Sequence, residues 1–262
     1  MTEGMQVSAM ARRVQKKFKN KTLRSIEIVK GKYKKKTPRN LIEFQKDLPL
    51  RLLDVIKKGK VIFLFFEKGW TVIVKFGMTG WLNTEENERE EEKEKPNVIF
   101  DFDGKKLFYT DIRQFGSLTF TKDPVYVLKE LSKLAPDILD DKIEFKDIQD
   151  RIGSTKSIDV QLMDQKLVFS GIGNIIKSEI LYDAKIDPRR KGNELSLDEW
   201  KKIFQSAKKI SKRVLNNIEN GKEDFNGVIY VYNKEKDKNQ NKVERYSSKD
   251  GRVTYWVPYI QK

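Results

Sequence analysis

The sequence predicts an α/β (α+β) protein of two domains: an N-terminal β-sandwich with flanking helices, then a helical C-terminal domain. Three observations carry this. The chain has 262 residues, and at roughly 150 residues per domain it has room for two cores. Short β-branched and aromatic runs separated by turn residues fill its first half. At Pro124 the apolar period changes from strand-like to helical. The expected division is therefore 1–123 for the sandwich, 124–136 for a linker and 137–262 for the helical domain.

Met5, Val7, Met10, Val14 and Phe18 recur at helical spacing, with Arg12, Arg13, Lys16, Lys17 and Lys19 on the other face, so an amphipathic helix opens the chain. Strands are expected at 23–29, 60–66, 70–77, 97–101, 106–110 and 117–120. Val127, Leu128, Leu131 and Leu134 mark the first helix past Pro124, and helical segments follow near 142–151, 157–168, 174–184 and 196–218. The last begins with Ser196-x-x-Glu199, a capping box, and its core face carries Trp200, Ile203, Phe204, Ala207, Ile210 and Val214. Two strand-like runs, 227–233 and 252–257, end the chain as a basic hairpin.

The charge narrows the function. There are 54 Lys and Arg against 39 Asp and Glu, a formal +15, and residues 1–60 alone hold 18 basic and five acidic residues. Such a balance favours a polyanion, nucleic acid first. The stretch 85–95, with seven glutamates and a following Pro96, reads as a solvated, disordered excursion between strands. With no cysteine and no histidine, the chain cannot use disulfides, thiolate nucleophiles, Ser-His-Asp triads or zinc held by sulfur or imidazole. Acid–base chemistry must use carboxylates, amines or phenols. No apolar run reaches the length of a spanning helix, and residues 1–25 lack a signal-peptide apolar region. The expectation is a soluble intracellular protein, nuclear or cytoplasmic.

Gly171-Ile172-Gly173-Asn174 lies where one helix ends and the next begins. The glycines allow close backbone approach to a phosphate, and the helix N-terminus and Asn174 offer donors. The same residues also suit a plain αα-corner. In context, Leu162-Met163-Asp164-Gln165-Lys166 through Gly171-Ile172-Gly173-Asn174 to Ile186-Asp187-Pro188 resembles the helix–two-turn–helix of the formamidopyrimidine-DNA glycosylase and endonuclease VIII family. Phe76-Gly77-Met78-Thr79-Gly80 resembles the family loop that fills the void left by a flipped base, and Asp111-Ile112-Arg113-Gln114-Phe115-Gly116 its second intercalating loop. Lys57-Lys58-Gly59-Lys60 resembles the segment carrying the family's essential lysine, here Lys60. Gly251-Arg252-Val253-Thr254-Tyr255-Trp256 resembles the end of the zinc-finger hairpin, but the cysteines expected near 237–240 and at 257 and 260 are missing. This is similar to the zincless finger of some endonuclease VIII-like enzymes, including giant-virus ones, and places it at about 227–262.

The resemblance implies base excision of oxidised bases, preferentially pyrimidines, with strand cleavage by β- and then δ-elimination, on DNA bound in the cleft between two domains of a monomer. No cofactor, metal or membrane is implied. The nucleophile would be the amine of Thr2 after removal of Met1. An α-amine titrates near ~7.7–8 against ~10.4 for lysine, so it is far more often neutral at working pH. Glu3 would transfer a proton at the sugar ring oxygen and Lys60 would act as a cation at phosphate. Met78, Arg113 and Phe115 would occupy the space of the flipped nucleotide, and Asn174 and Arg252 would hold phosphates. Met78 and Phe115 also suit core packing, and Arg113 a surface ion pair. Family members usually read Pro-Glu-Gly-Pro-Glu after Met1, whereas this chain reads Thr2-Glu3-Gly4-Met5-Gln6, so a primary amine replaces proline and Gln6 replaces a second carboxylate. A DNA-binding relative that has lost catalysis is the alternative. An RNA-binding protein is a third reading, disfavoured by Glu3, Lys60 and the void-filling loop.

Overall fold

The structure, a computed structural model, describes residues 2–85 and 95–262; the acidic stretch expected to be a disordered excursion lies almost wholly outside them, as does Met1. The chain divides into two compact units, one of residues 1–2 and 7–132 and one of residues 3–6 and 133–262.

Helix α1 (Gly4–Phe18) follows the predicted amphipathic period. Val7, Met10, Val14 and Phe18 are fully buried in the core of the first unit. Strand β1 (Thr22–Ile28) and the short helices α2 (Lys32–Lys35) and α3 (Leu41–Lys46) lead to β2 (Leu50–Lys58). Then come β3 (Val61–Phe66), β4 (Thr71–Lys75), β5 (Gly80–Asn83), β6 (Val98–Phe102), β7 (Lys105–Asp111) and β8 (Ser117–Thr121). The strands pair antiparallel in the order β5-β7-β6-β1-β2-β3-β4-β8. The β1–β2 junction is paired only at Thr22 with Arg51 and Leu23 with Leu50, so the order divides into two four-stranded halves. Side chains of both halves share one core, including Phe100 and Phe102 from one and Leu52, Leu64 and Phe120 from the other. Helix α4 (Pro124–Ser132) buries Val127 but leaves Val125 and Leu128 exposed, contrary to the inward position expected for Leu128.

In the second unit the expected helix near 142–151 is a 3-10 segment, Phe145–Arg151. Helix α5 (Ile158–Met163) is shorter than predicted because Asp164 to Ser170 turn back through hydrogen bonds at Asp164, Gln165 and Pro136. Helix α6 (Asn174–Ala184) ends at left-handed Lys185. Helix α7 (Leu197–Glu219) has the predicted reciprocal cap between Ser196 and Glu199 and buries its predicted core face. Arg190 grips Glu199 with two nitrogens and holds its carboxyl down at about 2.

The terminal hairpin corrects the sequence reading. Its strands are β9 (Glu244–Ser247) and β10 (Val253–Trp256), paired from Glu244 with Trp256 to Ser247 with Val253. Residues 227–233 form turns, not a strand. Their backbone donors are used elsewhere: Tyr230, Val231 and Tyr232 N–H groups all donate to the buried Glu179 carboxylate at 2.9, 3.0 and 2.8 Å. Burial nevertheless raises the Glu179 carboxyl above its ordinary range. Alternating apolar residues cannot reveal that a carboxylate will replace a neighbouring strand.

Candidate functional site

Within the first unit, the N-terminal segment meets the loop after β4. The backbone nitrogen of Thr2 lies 3.1 Å from the Met78 carbonyl oxygen, and Thr2 Oγ1 donates to Gly80 O at 3.1 Å. Thr2 is buried. The reactive-amine candidate is thus fixed by two carbonyls of the Phe76–Gly80 loop. Gly77 has φ +59°, and a Cβ there would sit 2.7 Å from the Phe115 carbonyl carbon. Glycine is therefore required for this loop to pack against the 111–116 loop.

The two loops are joined again by Thr79. Its hydroxyl donates to Asp111 Oδ1 at 2.6 Å and accepts from Arg113 N at 3.0 Å. Asp111 Oδ2 accepts from Gly116 N at 2.6 Å. The Arg113 guanidinium stacks 4.8 Å from the Phe115 ring, and Phe115 is 60% exposed. A core role for Phe115 is thereby ruled out, and the ion pair that Arg113 also suited is replaced by this stacking. Met78 is half-buried. Lys60 begins the turn into β3 beside left-handed Gly59, half-buried.

Within the second unit, Glu3 is fully buried, and its Oε1 accepts from Ile175 N at 3.2 Å in the first turn of α6. Here the positive end of an 11-residue helix faces a carboxylate. A Cβ on Gly173 would lie 2.5 Å from Glu3 Cδ, so the Gly-x-Gly motif serves the carboxylate directly. Gly4 N donates to Gly171 O at 2.8 Å. The two glycines at 171 and 173 thus make the seat for residues 3 and 4, a use that spacing alone left open between phosphate approach and a simple corner.

Asn174 donates through Nδ2 to Val253 O at 3.0 Å, tying α6 to β10 next to Arg252. Arg252 Nη1 pairs with Asp250 Oδ2 at 2.6 Å and is partly exposed. The hairpin has no thiolate or imidazole to hold a zinc ion. The chain has no cysteine or histidine, and among the described residues no group of three His, Cys, Asp or Glu side chains gathers to hold a metal. Asp237 gathers the turn instead: it accepts from Asn239 N and Asn241 N at 2.8 Å each, Asn241 Nδ2 at 3.0 Å and Tyr182 Oη at 2.9 Å. Burial opposes the Asp237 charge, but these donors prevail and its carboxyl falls below the ordinary range. A second buried carboxylate, Asp159, accepts from Ser157 Oγ, Ser248 Oγ and Thr254 Oγ1 and so anchors β10 to α5.

Sequence reasoning missed three features of the site. Asp224 accepts from Gln6 Nε2 at 2.6 Å, while Gln6 Oε1 accepts from Glu3 N at 2.9 Å. Nothing in the spacing signals a contact over 218 positions. Lys177 on α6 is fully buried, its Nζ makes no hydrogen bond, and burial pushes it down to about 8. A lysine inside the run Ile175-Ile176-Lys177-Ser178-Glu179-Ile180-Leu181 could have been noticed. Finally, Thr79 and Asp111, both inside the quoted motifs, knit the two loops.

Comparison with known proteins gives these geometries a context. The formamidopyrimidine-DNA glycosylase N-terminal domain family matches residues 1–118, and the formamidopyrimidine-DNA glycosylase H2TH domain family matches residues 134–225. The formamidopyrimidine-DNA glycosylase of Carboxydothermus hydrogenoformans is 28% identical over 279 aligned positions, covering all of both chains. That of Ureaplasma parvum is 34% identical over 181, covering 68% of this chain and 64% of its own. Among solved structures, MutM in complex with DNA containing carbocyclic 8-oxo-G superposes with a TM-score of 0.85 at 21% identity over the whole of both chains. Lactococcus lactis formamidopyrimidine-DNA glycosylase, non-covalently bound to DNA containing an AP site, gives 0.83 at 21% over the same span. At that identity the superpositions speak to the fold.

Proposed function

Since the chain belongs to the formamidopyrimidine-DNA glycosylase family, DNA glycosylases of base excision repair, we propose that it removes oxidised bases from damaged DNA, pyrimidines in preference, and then cleaves the strand. The observation that carries this reading is the fixed position of residues 2 and 3: the Thr2 nitrogen on the Met78 carbonyl and the Glu3 carboxylate buried on the first turn of α6.

Once Met1 is removed, the neutral Thr2 amine attacks C1′ and the base departs with the electron pair of its bond, taking up the proton the amine sheds. Glu3 gives a proton to the ring oxygen, the sugar opens, and an imine joins Thr2 to C1′. Its positive charge acidifies the C2′ proton. Loss of that proton expels the 3′ phosphate, and a second elimination expels the 5′ phosphate. Lys60, Asn174 and Arg252 hold backbone phosphates, and Met78, Arg113 and Phe115 take the place of the everted nucleotide. The exposed Phe115 ring carrying the Arg113 guanidinium suits stacking on the bases left behind.

The pyrimidine preference rests on the segment after α7. With residues 230–232 pinned to Glu179, only residues 220–229 lie between the helix end and that anchor, a short connection in place of a long loop that folds over a purine. Borohydride trapping on abasic duplex, with peptide mapping of the adduct, tests the mechanism: a cross-link at Thr2 is expected. A cross-link at Lys60 overturns the assignment, and no trapping by protein lacking Met1 favours the non-catalytic DNA-binding relative. Single-turnover rates on thymine glycol and 8-oxoguanine opposite cytosine test the preference, which fails where 8-oxoguanine leaves faster.

A further inference from the structure

Gln6 is a buried side-chain amide with both ends committed. Its oxygen takes the Glu3 N–H at 2.9 Å, and its nitrogen donates to Asp224 Oδ2 at 2.6 Å. An amide can be turned either way, and the partner at each end decides which. A carboxylate accepts only, so Asp224 forces the Gln6 nitrogen toward itself and the oxygen toward Glu3. Asp224 is itself held in place, because Asn217 on α7 donates through Nδ2 to its backbone carbonyl at 3.2 Å and to that of Asn226 at 2.9 Å. The residues on either side, Glu223 and Phe225, line a cleft of about 460 Å³ together with Asn226, Tyr232 and Ile175, whose N–H is the donor to Glu3. The negative charge of Asp224 is thus linked through one amide to the Glu3 backbone, and both of its chain neighbours line that cleft.

We propose that Asp224 is a positioning residue of the reaction, orienting Glu3 and the adjoining Thr2 amine through Gln6. This rests on the Schiff-base reading above. Asp224 sets the Gln6 amide, the amide sets the Glu3 backbone, and that backbone carries the proton donor on one side and the nucleophile on the other.

The test uses Q6E, D224N and the double variant Q6E/D224N, all without Met1, in borohydride trapping on abasic duplex from pH 5.5 to 8.5. Q6E sets two carboxylates where an amide met a carboxylate, and two such groups at this distance cannot both stay ionised. Its trapping rate is expected to fall at least tenfold at pH 8 and to recover toward pH 5.5 relative to wild type, with DNA affinity within twofold. In the double variant the amide introduced at position 224 can donate to the carboxylate introduced at position 6, so Q6E/D224N is expected to return within threefold of wild type at pH 8. D224N keeps the shape without the charge and is expected to lose three- to tenfold. Thermal melts confirm that each variant is folded. A double variant no faster than Q6E, or a Q6E loss that does not vary with pH, overturns the inference while wild type still traps. Wild type that never traps overturns the Schiff-base reading and this inference with it.

Discussion

Lys177→Met gives a quantitative handle on the second unit. In the folded protein the amine is fully buried, makes no hydrogen bond and titrates near 8 instead of 10.5. Burial is the main cause; Asp159, Asp250 and Glu3 pull the other way and Arg252 adds to the lowering. A folded value 2.5 units below the unfolded one penalises folding by about 3 kcal/mol wherever both states are protonated. The unfolded chain holds the proton more tightly, so the penalty is complete below about pH 8 and fades as the pH rises toward 10.5. Methionine keeps the length and most of the volume without the charge. At pH 7 the variant is expected to be more stable by at most about 3 kcal/mol, roughly a 10 °C rise in the melting temperature. The gain should shrink toward zero at pH 10.5. Paired thermal melts of both proteins across pH 6–10.5 measure it. A variant less stable at pH 7, or one whose gain is the same at every pH, would refute the claim that an uncompensated buried charge sits there.

Glu3→Gln should leave DNA affinity within about threefold, since phosphate contacts dominate binding, and lower base excision by roughly 100-fold or more; unaltered single-turnover excision would remove Glu3 from the chemistry. Gly173→Ala drives a methyl into the Glu3 carboxyl, so excision should fall at least tenfold while binding to abasic duplex changes less, and a fully active variant would contradict the packing described. Excision should be indifferent to EDTA and to added zinc, because the chain lacks thiolate and imidazole donors; loss with EDTA that zinc restores would sink this.

What can be read from the sequence follows from how local each signal is. Helices α1 and α7 announce themselves by period and cap, and most sheet strands by short apolar runs. Strand β2 escapes such a reading because its run is broken by Asp54 and by the lysines at 57 and 58, and β5 because glycine opens a strand of only four residues. The turns at 227–233 mislead because Val228, Tyr230 and Tyr232 alternate like a strand, whereas a distant glutamate satisfies their backbone. Within the site, the glycine-rich motif at 171–174 and the motifs at 76–80 and 111–116 are legible as strings. The coupling of Gln6 to Asp224 and the burial of Lys177 are not, because they arise only when segments far apart in the chain close on one another.

The Asp237 turn changes what can damage the hairpin. A finger held by zinc depends on thiolates, which peroxide oxidises with release of the metal. Here the same turn is gathered by a carboxylate, two amide nitrogens of the backbone, an asparagine and a phenol, none of which peroxide attacks readily. The hairpin can therefore keep its shape under peroxide, and competition for zinc does not touch it. Among the described residues the accessible sulfur lies elsewhere, in the half-buried thioethers of Met78 and Met163. Oxidation of Met78 would turn an apolar side chain of the Phe76–Gly80 loop into a polar one, at the position we propose takes the place of an everted nucleotide.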